Sequence, residues 1–510
     1  MKICVKNPFT CLGGASTRSR VLPVLIAGLG LITAGPVAAQ TFMNLYGFTP
    51  ASAAPPYTNR DGANPSAGLV LSGDTLYGAA GDGGTSGNGT VFAISTGGTG
   101  FSNLYNFTAT LGPLRTNSDG ANPYSSLILS GNTLYGTAFD GGTNGVGTVF
   151  AISTNGTGFT NLYNFTGSDG TAATGGGNPA SGLVLSGNAL YGTAELGGNA
   201  GDGMIFRIYT DGTGFTNLHG FTGAAGGSFP QAGLILSGTT LYGTASSGGR
   251  GGKGGNGTVF AINTDGTGFT NIYRLDGSND GAFPQAGLVL SGSTLYGTTE
   301  AGGISSNGTV FSLDTSGASF AVLHTFSATD PDSLVNGDGA NPTASLILSG
   351  NTLYGATDYG GSGGLGTVFS VDTNGSNFMN LHSFAGGSGG FDPAAALVLG
   401  GNDVYGTTEF DGSGSRGTVF KLAVTLQHSA PPQPDIVSVT PSGSNLVIDA
   451  TDGQSGGTYI TLTSTILTLP LSQWMPVATN VLTASGDFTI TLINAVNRDI
   501  PQRFYILETP

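Results

Sequence analysis

The 510-residue chain carries 14 Lys and Arg against 29 Asp and Glu, a formal net charge of −15, and only 8% of its residues are charged, where about a quarter is usual. A surface of that sign repels phosphate backbones, so neither nucleic acid nor anionic membrane is expected as a partner. Glycine supplies 92 residues where average usage gives about 36, leaving surface polarity to Ser, Thr, Asn and the backbone.

Residues 1–39 differ from the rest. Lys2, Lys6, Arg18 and Arg20 precede an apolar run from Val21 to Gly35, which ends in Pro36-Val37-Ala38-Ala39 before Gln40. This basic, apolar, small-residue order is that of a secretory signal peptide, with cleavage expected after Ala39. A membrane anchor is the weaker reading, because the run is short of the roughly twenty apolar residues that a span needs. Cleavage would remove both cysteines, Cys4 and Cys11, and leave 10 basic against 29 acidic residues, a net charge of −19. The mature chain then has no disulfide, thiolate metal site or cysteine nucleophile, and no cysteine follows the apolar run to carry a lipid.

From residue 40 to 425 the chain repeats. The tyrosine of a Leu-Tyr-Gly motif recurs at Tyr77, Tyr135, Tyr191, Tyr242, Tyr296, Tyr354 and, as Val-Tyr-Gly, Tyr405, at spacings of 51 to 58 residues. Each is followed by Gly-Thr-Val-Phe or a close variant ending at Phe92, Phe150, Phe206, Phe260, Phe311, Phe369 and Phe420. One unit holds four short β candidates, Leu69 to Leu71, Thr75 to Tyr77, Thr90 to Ile94 and Asn103 to Phe107, rich in β-branched and aromatic residues and separated by Gly, Asn and Ser. A tight loop, Ser72-Gly73-Asp74, joins the first two. Leu-Val-Leu and Val-Phe-Ala-Ile are apolar at odd and even positions alike, so both faces of each small sheet seek burial.

Radially stacked blades meet that demand, and seven four-stranded units fit a seven-bladed β-propeller. A lone fourth-strand motif, Asn44-Leu45-Tyr46-Gly47-Phe48, precedes the first unit, while the seventh unit stops after its third strand near Val424. Pairing residues 44–48 with 417–424 would close the ring and remove two open edges. A β-solenoid is the alternative, but it gives no reason for complementary fragments at the two ends.

The stretch from Tyr135 through Phe165, with Leu-Tyr-Gly-Thr, Gly-Gly, Gly-Thr-Val-Phe and Thr-Asn-Gly-Thr-Gly-Phe-Thr-Asn-Leu-Tyr-Asn-Phe, resembles the bacterial GloVer-type tandem repeat, a choice-of-anchor group. The resemblance covers roughly residues 41 to 424. It implies an exported protein with a variable C-terminal sorting device, and no activity or functional residue. Residues 426–434 then read as a linker stiffened by Pro431-Pro432-Gln433-Pro434. Residues 435–510 read as a small β-sandwich-like domain, with Ile436 to Val439, Leu446 to Ile448 and Phe488 to Leu492 its clearest strands. The series Gln473 to Asn480 and Gln502 to Tyr505 looks similar to tail modules of secreted bacterial repeat proteins. The chain end has no apolar stretch and basic cluster, so no membrane-retention signal is expected.

No catalytic, cofactor or metal site is assigned. His219, His324 and His382 stand at the tyrosine position of the fourth strand, a place for a packed aromatic, and His428 lies beside the linker. Asp61, Asp119, Asp280 and Asp338 recur in Asp-Gly-x-x-Pro. Their oxygens could bind calcium, though an Asx-type turn is the simpler reading. Three units lack that aspartate: Gly176-Gly177-Asn178-Pro179, Gly226-Gly227-Ser228-Phe229-Pro230 and Gly390-Phe391-Asp392-Pro393. Gly248 to Gly257 has no Gly-Lys-Ser/Thr ending and reads as a loop, not a phosphate cradle. The only tryptophan, Trp474, lies outside the repeats, which argues against a quinone cofactor. No Gly-x-Ser-x-Gly elbow with plausible partners appears.

Loop lengths point to one face. The first-to-second step is five residues in every unit, as in Leu71 to Leu76, and the third-to-fourth step is twelve, as in Phe92 to Leu104. The inter-unit connection varies: 21 residues from Phe48 to Leu69, 20 from Phe107 to Leu127, 18 from Phe165 to Leu183 and 13 from Phe221 to Leu234. The second-to-third loop is longer only in the fourth unit, which carries Arg250 and Lys253 there. In a meander these two loop sets share a side, so that face is the expected binding surface, with drift in unconstrained loops as the plain alternative. The expectation is a monomeric, exported, non-enzymatic binding or scaffold protein for an extracellular glycan or surface protein. The alternative is an exported carbohydrate-active enzyme with its site at the channel, for which paired carboxylates would be the sign.

Overall fold

The computed structural model describes residues 3–6, 40–424 except 168–175, 199, 251 and 413, and six strands between Asp435 and Glu508. The chain divides into two units, Ala39–Thr425 and a second that combines Met1–Ala38 with Leu426–Pro510.

The first unit is a seven-bladed propeller of four-stranded antiparallel sheets. In the first blade the strands are Val70–Ser72, Thr75–Ala80, Thr90–Ser95 and Ser102–Asn106. The second strand outruns its expected length by three residues because Gly78, Ala79 and Ala80 go on pairing with Phe92, Val91 and Thr90. The opposition of Gly78 and Phe92 recurs in every blade, as with Gly136 and Phe150, and it explains the Leu-Tyr-Gly motif. A Cβ on Gly136 would stand 2.7 Å from Phe150 Cζ, so the buried ring lies over bare backbone. Seven such phenylalanines, Phe92 to Phe420, are fully buried.

The ring closes as the end fragments require. Phe42–Gly47 runs antiparallel to Thr418–Ala423, with Phe42 opposite Leu422 and Gly47 opposite Thr418, and becomes the outer strand of the seventh blade. Each fourth-strand aromatic then stacks on the phenylalanine that precedes or begins the fourth strand of the next blade. The seven pairs are Tyr46 on Phe101, Tyr105 on Phe159, Tyr163 on Phe215, His219 on Phe269, Tyr273 on Phe320, His324 on Phe378 and His382 on Phe42. Their centroids lie 3.5 to 4.2 Å apart with planes within 11°. The short first strands are innermost. Residues leading into them, among them Ser66, Ser126, Gly182, Gly233, Gly287, Ser345 and Ala396, line a central cavity of about 250 Å³.

The second unit contains two sheets. One orders Ile3–Lys6, Gln502–Glu508, Thr458–Ser464 and Met475–Val481; the other orders Asp435–Ser442, Asn445–Gly453 and Gly486–Leu492, where buried Ile448 faces buried Ile490. The apolar run and cleavage point of the expected signal peptide, the linker 426–434, His428 and Trp474 lie outside the described residues.

Candidate channel-mouth site

One residue per blade builds the loop-bearing face. Asn64, Asn122, Asn178, Phe229, Phe283, Asn341 and Asp392 each precede a proline and each sit at φ between +55° and +61°. The bend turns the N–H back to the preceding blade and the carbonyl toward its own. Asn122 N–H donates to Asn88 O at 2.9 Å, while Asn122 O accepts from Phe139 N–H at 3.0 Å; for Asp392 the partners are Leu365 O at 3.2 Å and Glu409 N–H at 3.0 Å. Asparagine and aspartate tolerate this region because their short side chains bond locally. Here Asn122 and Asn178 donate to the carboxylates of Asp82 and Asp140. Phe229 and Phe283 gain no such bond and carry backbone strain.

The same crossing binds each inter-blade loop to the second-to-third loop of its blade, as in the bridges of Ala63 with Asp82, Ser228 with Ser247 and Phe391 with Phe410. Both variable loop sets therefore form one layer on one face. The residue just after the second strand is brought to the channel mouth, and in four blades it is acidic: Glu195, Glu300, Asp358 and Glu409. Gln231, Gln285 and Thr343, which line the channel, donate to Glu195 at 3.2 Å, to Glu300, and to Asp358 at 2.6 Å.

The carboxylates share one field. Burial first, and then the charges of Asp392, Glu300 and Glu409, push Asp358 well above the usual carboxylate range. Burial, with Asp392 and Asp82, raises Glu409 to about 7, and burial raises Asp392 to about 6. Burial likewise raises Asp82 and Asp140, but Arg115 opposes it at both, and Arg416 at Asp82. Arg115 also binds Asp140 directly at 2.9 Å. Among the described residues, no arginine or lysine is a main influence on Asp358, Asp392 or Glu409. Tyr124 and Tyr359 stand partly exposed in the same field. Farther out, Leu111, Leu114 and Ile304 are 71 to 83% exposed on the loops of this face.

The residues singled out from sequence lie elsewhere. His219, His324 and His382 are not brought together; each is a member of the aromatic stack described above. Burial lowers His219 and His382 to about 4. The four aspartates are not the turn formers expected. Asp61 accepts Tyr46 Oη at 2.7 Å, Thr49 N–H at 3.0 Å and Thr49 Oγ1, while the turn itself is made by Asn59, whose Oδ1 accepts Gly62 N–H. Asp119 and Asp280 hold Tyr105 and Tyr273 in the same way, and Asp338 holds His324 Nε2 at 3.0 Å. The aspartate is thus a strut from the inter-blade loop to the preceding fourth strand. His219 and His382 precede two of the three inter-blade loops that lack it. Among the described residues, no group of three or more His, Cys, Asp or Glu could hold a metal ion. The mouth carboxylates were missed because their position varies in type from blade to blade. The signal lies four residues after each motif tyrosine, where Glu195, Glu300, Asp358 and Glu409 alternate with the neutral Gly81, Phe139 and Ser246.

Fold and face together define a closed tandem-repeat propeller with an acidic channel mouth. The chain belongs to the Gloeobacter/Verrucomicrobia repeat family, whose model matches residues 40–176 and 171–337, more than half of its length. No curated protein matches the sequence. Among solved structures it is similar to an oligogalacturonate lyase from Vibrio parahaemolyticus, at 8% identity over 77% of this chain and 98% of that one, with a TM-score of 0.46. It is also similar to PorZ of Porphyromonas gingivalis, described as a bacterial surface component of the type-IX secretion system, at 11% identity over 87% of this chain and 56% of that one, with a TM-score of 0.42. TolB from Acinetobacter baumannii matches at 15% identity over 56% of this chain and 58% of that one, with a TM-score of 0.34. At these TM-scores the likenesses carry no inference about activity.

Proposed function

We propose that the protein is exported, loses residues 1–39, and acts as a non-enzymatic binding or scaffold protein that takes an extracellular glycan or surface protein on its loop-bearing face. The observation that carries this reading is the bonding of both variable loop sets into one layer around the channel mouth, while the opposite face keeps loops of fixed length. Rigid scaffolds commonly place recognition on such loops. The test uses residues 40–510 on a glycan array and in pull-downs, with and without chelator, beside a variant in which the 13-residue connection from Phe221 to Leu234 replaces the longer ones. Binding should vanish in a variant that still melts cooperatively; undiminished binding would rule the face out.

One observation favours a second reading, an exported carbohydrate-active enzyme. Carboxyl groups from several blades come to the channel mouth, where Gln231 and Thr343 hold Glu195 and Asp358, and glycoside hydrolysis uses a pair of carboxyl groups. Release of reducing ends from a polysaccharide panel, abolished by Asp358→Asn or Glu409→Gln, would support it. Binding without turnover on any member would leave the first reading standing.

A further inference from the structure

Resting on the binding-face reading, we propose that the central channel takes one uncharged pyranose ring, carried free or at the end of a neutral glycan, with Tyr124 as its stacking platform and Gln231, Gln285 and Thr343 as its hydrogen-bonding partners. The channel wall is built in rings. The residue after the proline of each blade forms the outer one: Ser66, Tyr124, Gln231, Gln285 and Thr343, with alanine in the third and seventh blades. Two residues farther along the chain, every blade supplies Gly, Ser or Ala. In a ring of seven the second blade stands across the axis from the fifth and sixth, so Tyr124 lies opposite Gln285 and Thr343.

Each of these groups is held ready. The Tyr124 ring rests on bare backbone, since a Cβ on Gly81 would stand 2.2 Å from its Cε1, and Phe139 braces it from 6.0 Å between ring centres. An aromatic face is electron-rich and suits the C–H groups on the apolar face of a sugar ring. Gln231 Nε2 donates to Glu195 at 3.2 Å and Gln285 Nε2 donates to Glu300, which fixes both amides and leaves each a second N–H and its oxygen for a ligand. Ser126 and Ser345 accept the N–H groups of Gly68 and Gly287 in the preceding blades, at 3.1 and 2.8 Å, and keep their own O–H to donate. Donors and acceptors thus share one wall, a mixture that a ring bearing several hydroxyls satisfies. Among the described residues none that lines the channel is charged, and the carboxylates behind Gln231, Gln285 and Thr343 repel a uronate or a sulfate. A cavity of about 250 Å³ lies at the lower limit of ligand sites, which run from roughly 300 to 1,000 Å³, and suits a single ring.

The test titrates residues 40–510 by calorimetry with glucose, mannose and galactose, with a trisaccharide of each, and with trigalacturonate as the charged counterpart. Saturable binding of at least one neutral sugar is expected, and none of trigalacturonate. Affinity should fall about tenfold or more in Tyr124→Ala and in Gln285→Ala, and change less than about twofold in Tyr57→Ala, which removes an exposed ring that does not line the channel. Equal affinity for a monosaccharide and its trisaccharide assigns a free sugar; a trisaccharide held about tenfold more tightly assigns the end of a glycan. No binding of any neutral sugar, trigalacturonate bound as tightly, or an affinity indifferent to Tyr124→Ala overturns the proposal. Should Tyr124→Ala fail to fold, Ala180→Trp decides, because it fills the channel from the third blade and must abolish binding; retained binding would overturn the proposal. If array or pull-down ligands are lost on loop grafting yet bind undiminished to Ala180→Trp, the sugar proposal fails and the binding face survives. Sugar binding that Ala180→Trp abolishes and loop grafting leaves intact supports the channel and removes the loops from the reading.

Discussion

Single residues in this propeller are chosen by what must pass close to them. The glycine of each Gly-Thr-Val-Phe sits at positive φ where the proline of the next blade arrives; at Gly147, with φ +102°, a Cβ would lie 2.6 Å from Pro179 Cδ and 2.6 Å from Ala138 O. Gly147→Ala should therefore cost roughly 2–4 kcal/mol, as backbone strain adds to a clash between blades. Gly131, also at positive φ but with open space around it, should accept Asn for less than about 1 kcal/mol. Urea denaturation of the two variants checks the contrast, and similar losses would contradict it. The frame made the histidines legible, because an aligned column of tyrosines tells what a histidine in it replaces. It misled on Asp61, Asp119, Asp280 and Asp338. Their spacing to Gly and Pro describes a turn, whereas the bond that employs them reaches an aromatic on a strand outside that spacing. Asp358, Asp392 and Glu409 escaped notice because their meaning arises only when different blades meet around an axis.

At the level of strands and blades, one contact is repeated seven times and its last instance depends on a segment far away in the chain. Phe42 completes the stack with His382, and Leu45 and Phe48 are buried between the seventh and first blades. This seam was legible because the two ends of the array were incomplete in complementary ways. The strand limits were less so, since Gly-Ala-Ala and Gly-Thr-Ala continue a ladder that their composition does not advertise. Deleting residues 40–48 should lower stability by at least about 5 kcal/mol, the scale set by losing several fully buried large side chains. A synthetic peptide of residues 40–50 added in trans should restore part of the loss. A deletion variant that melts like the intact chain would show that the ring does not need its clasp.

For the whole molecule, two sets of groups pull stability in opposite directions with pH. Asp392 and Glu409 are raised to about 6 and about 7, so the folded state binds their protons more tightly than the unfolded chain does. Their ionisation erodes stability as pH rises from the ordinary carboxyl range through about 7. His219 and His382 are lowered to about 4; the stability of their neutral packing is complete above about 6.5 and is lost as pH falls toward about 4. Between about pH 4.5 and 6.5 the two sets oppose each other, and above about pH 6.5 only the carboxylate loss remains, so stability should fall there. Asp358→Asn/Glu409→Gln should flatten the alkaline limb. Replacing both histidines with Tyr, the residue four other blades use, should recover roughly 1 kcal/mol each near pH 5 after allowance for solvent screening. Melting curves from pH 4 to 8 test this, and a stability that climbs steadily to pH 8 would refute the carboxylate part. The clasp strand has a consequence in time as well. In a chain that emerges N-terminus first, Phe42–Gly47 has no partner until Thr418–Ala423 appears, some 370 residues later. At roughly 5–20 residues per second that is a wait of about 20–70 s. For that interval the earliest strand is a bare, apolar edge, and a stalled or truncated chain keeps it so. Ring closure thus reports that the repeat array is complete, and an unclosed ring marks a chain that stopped short of the seventh blade.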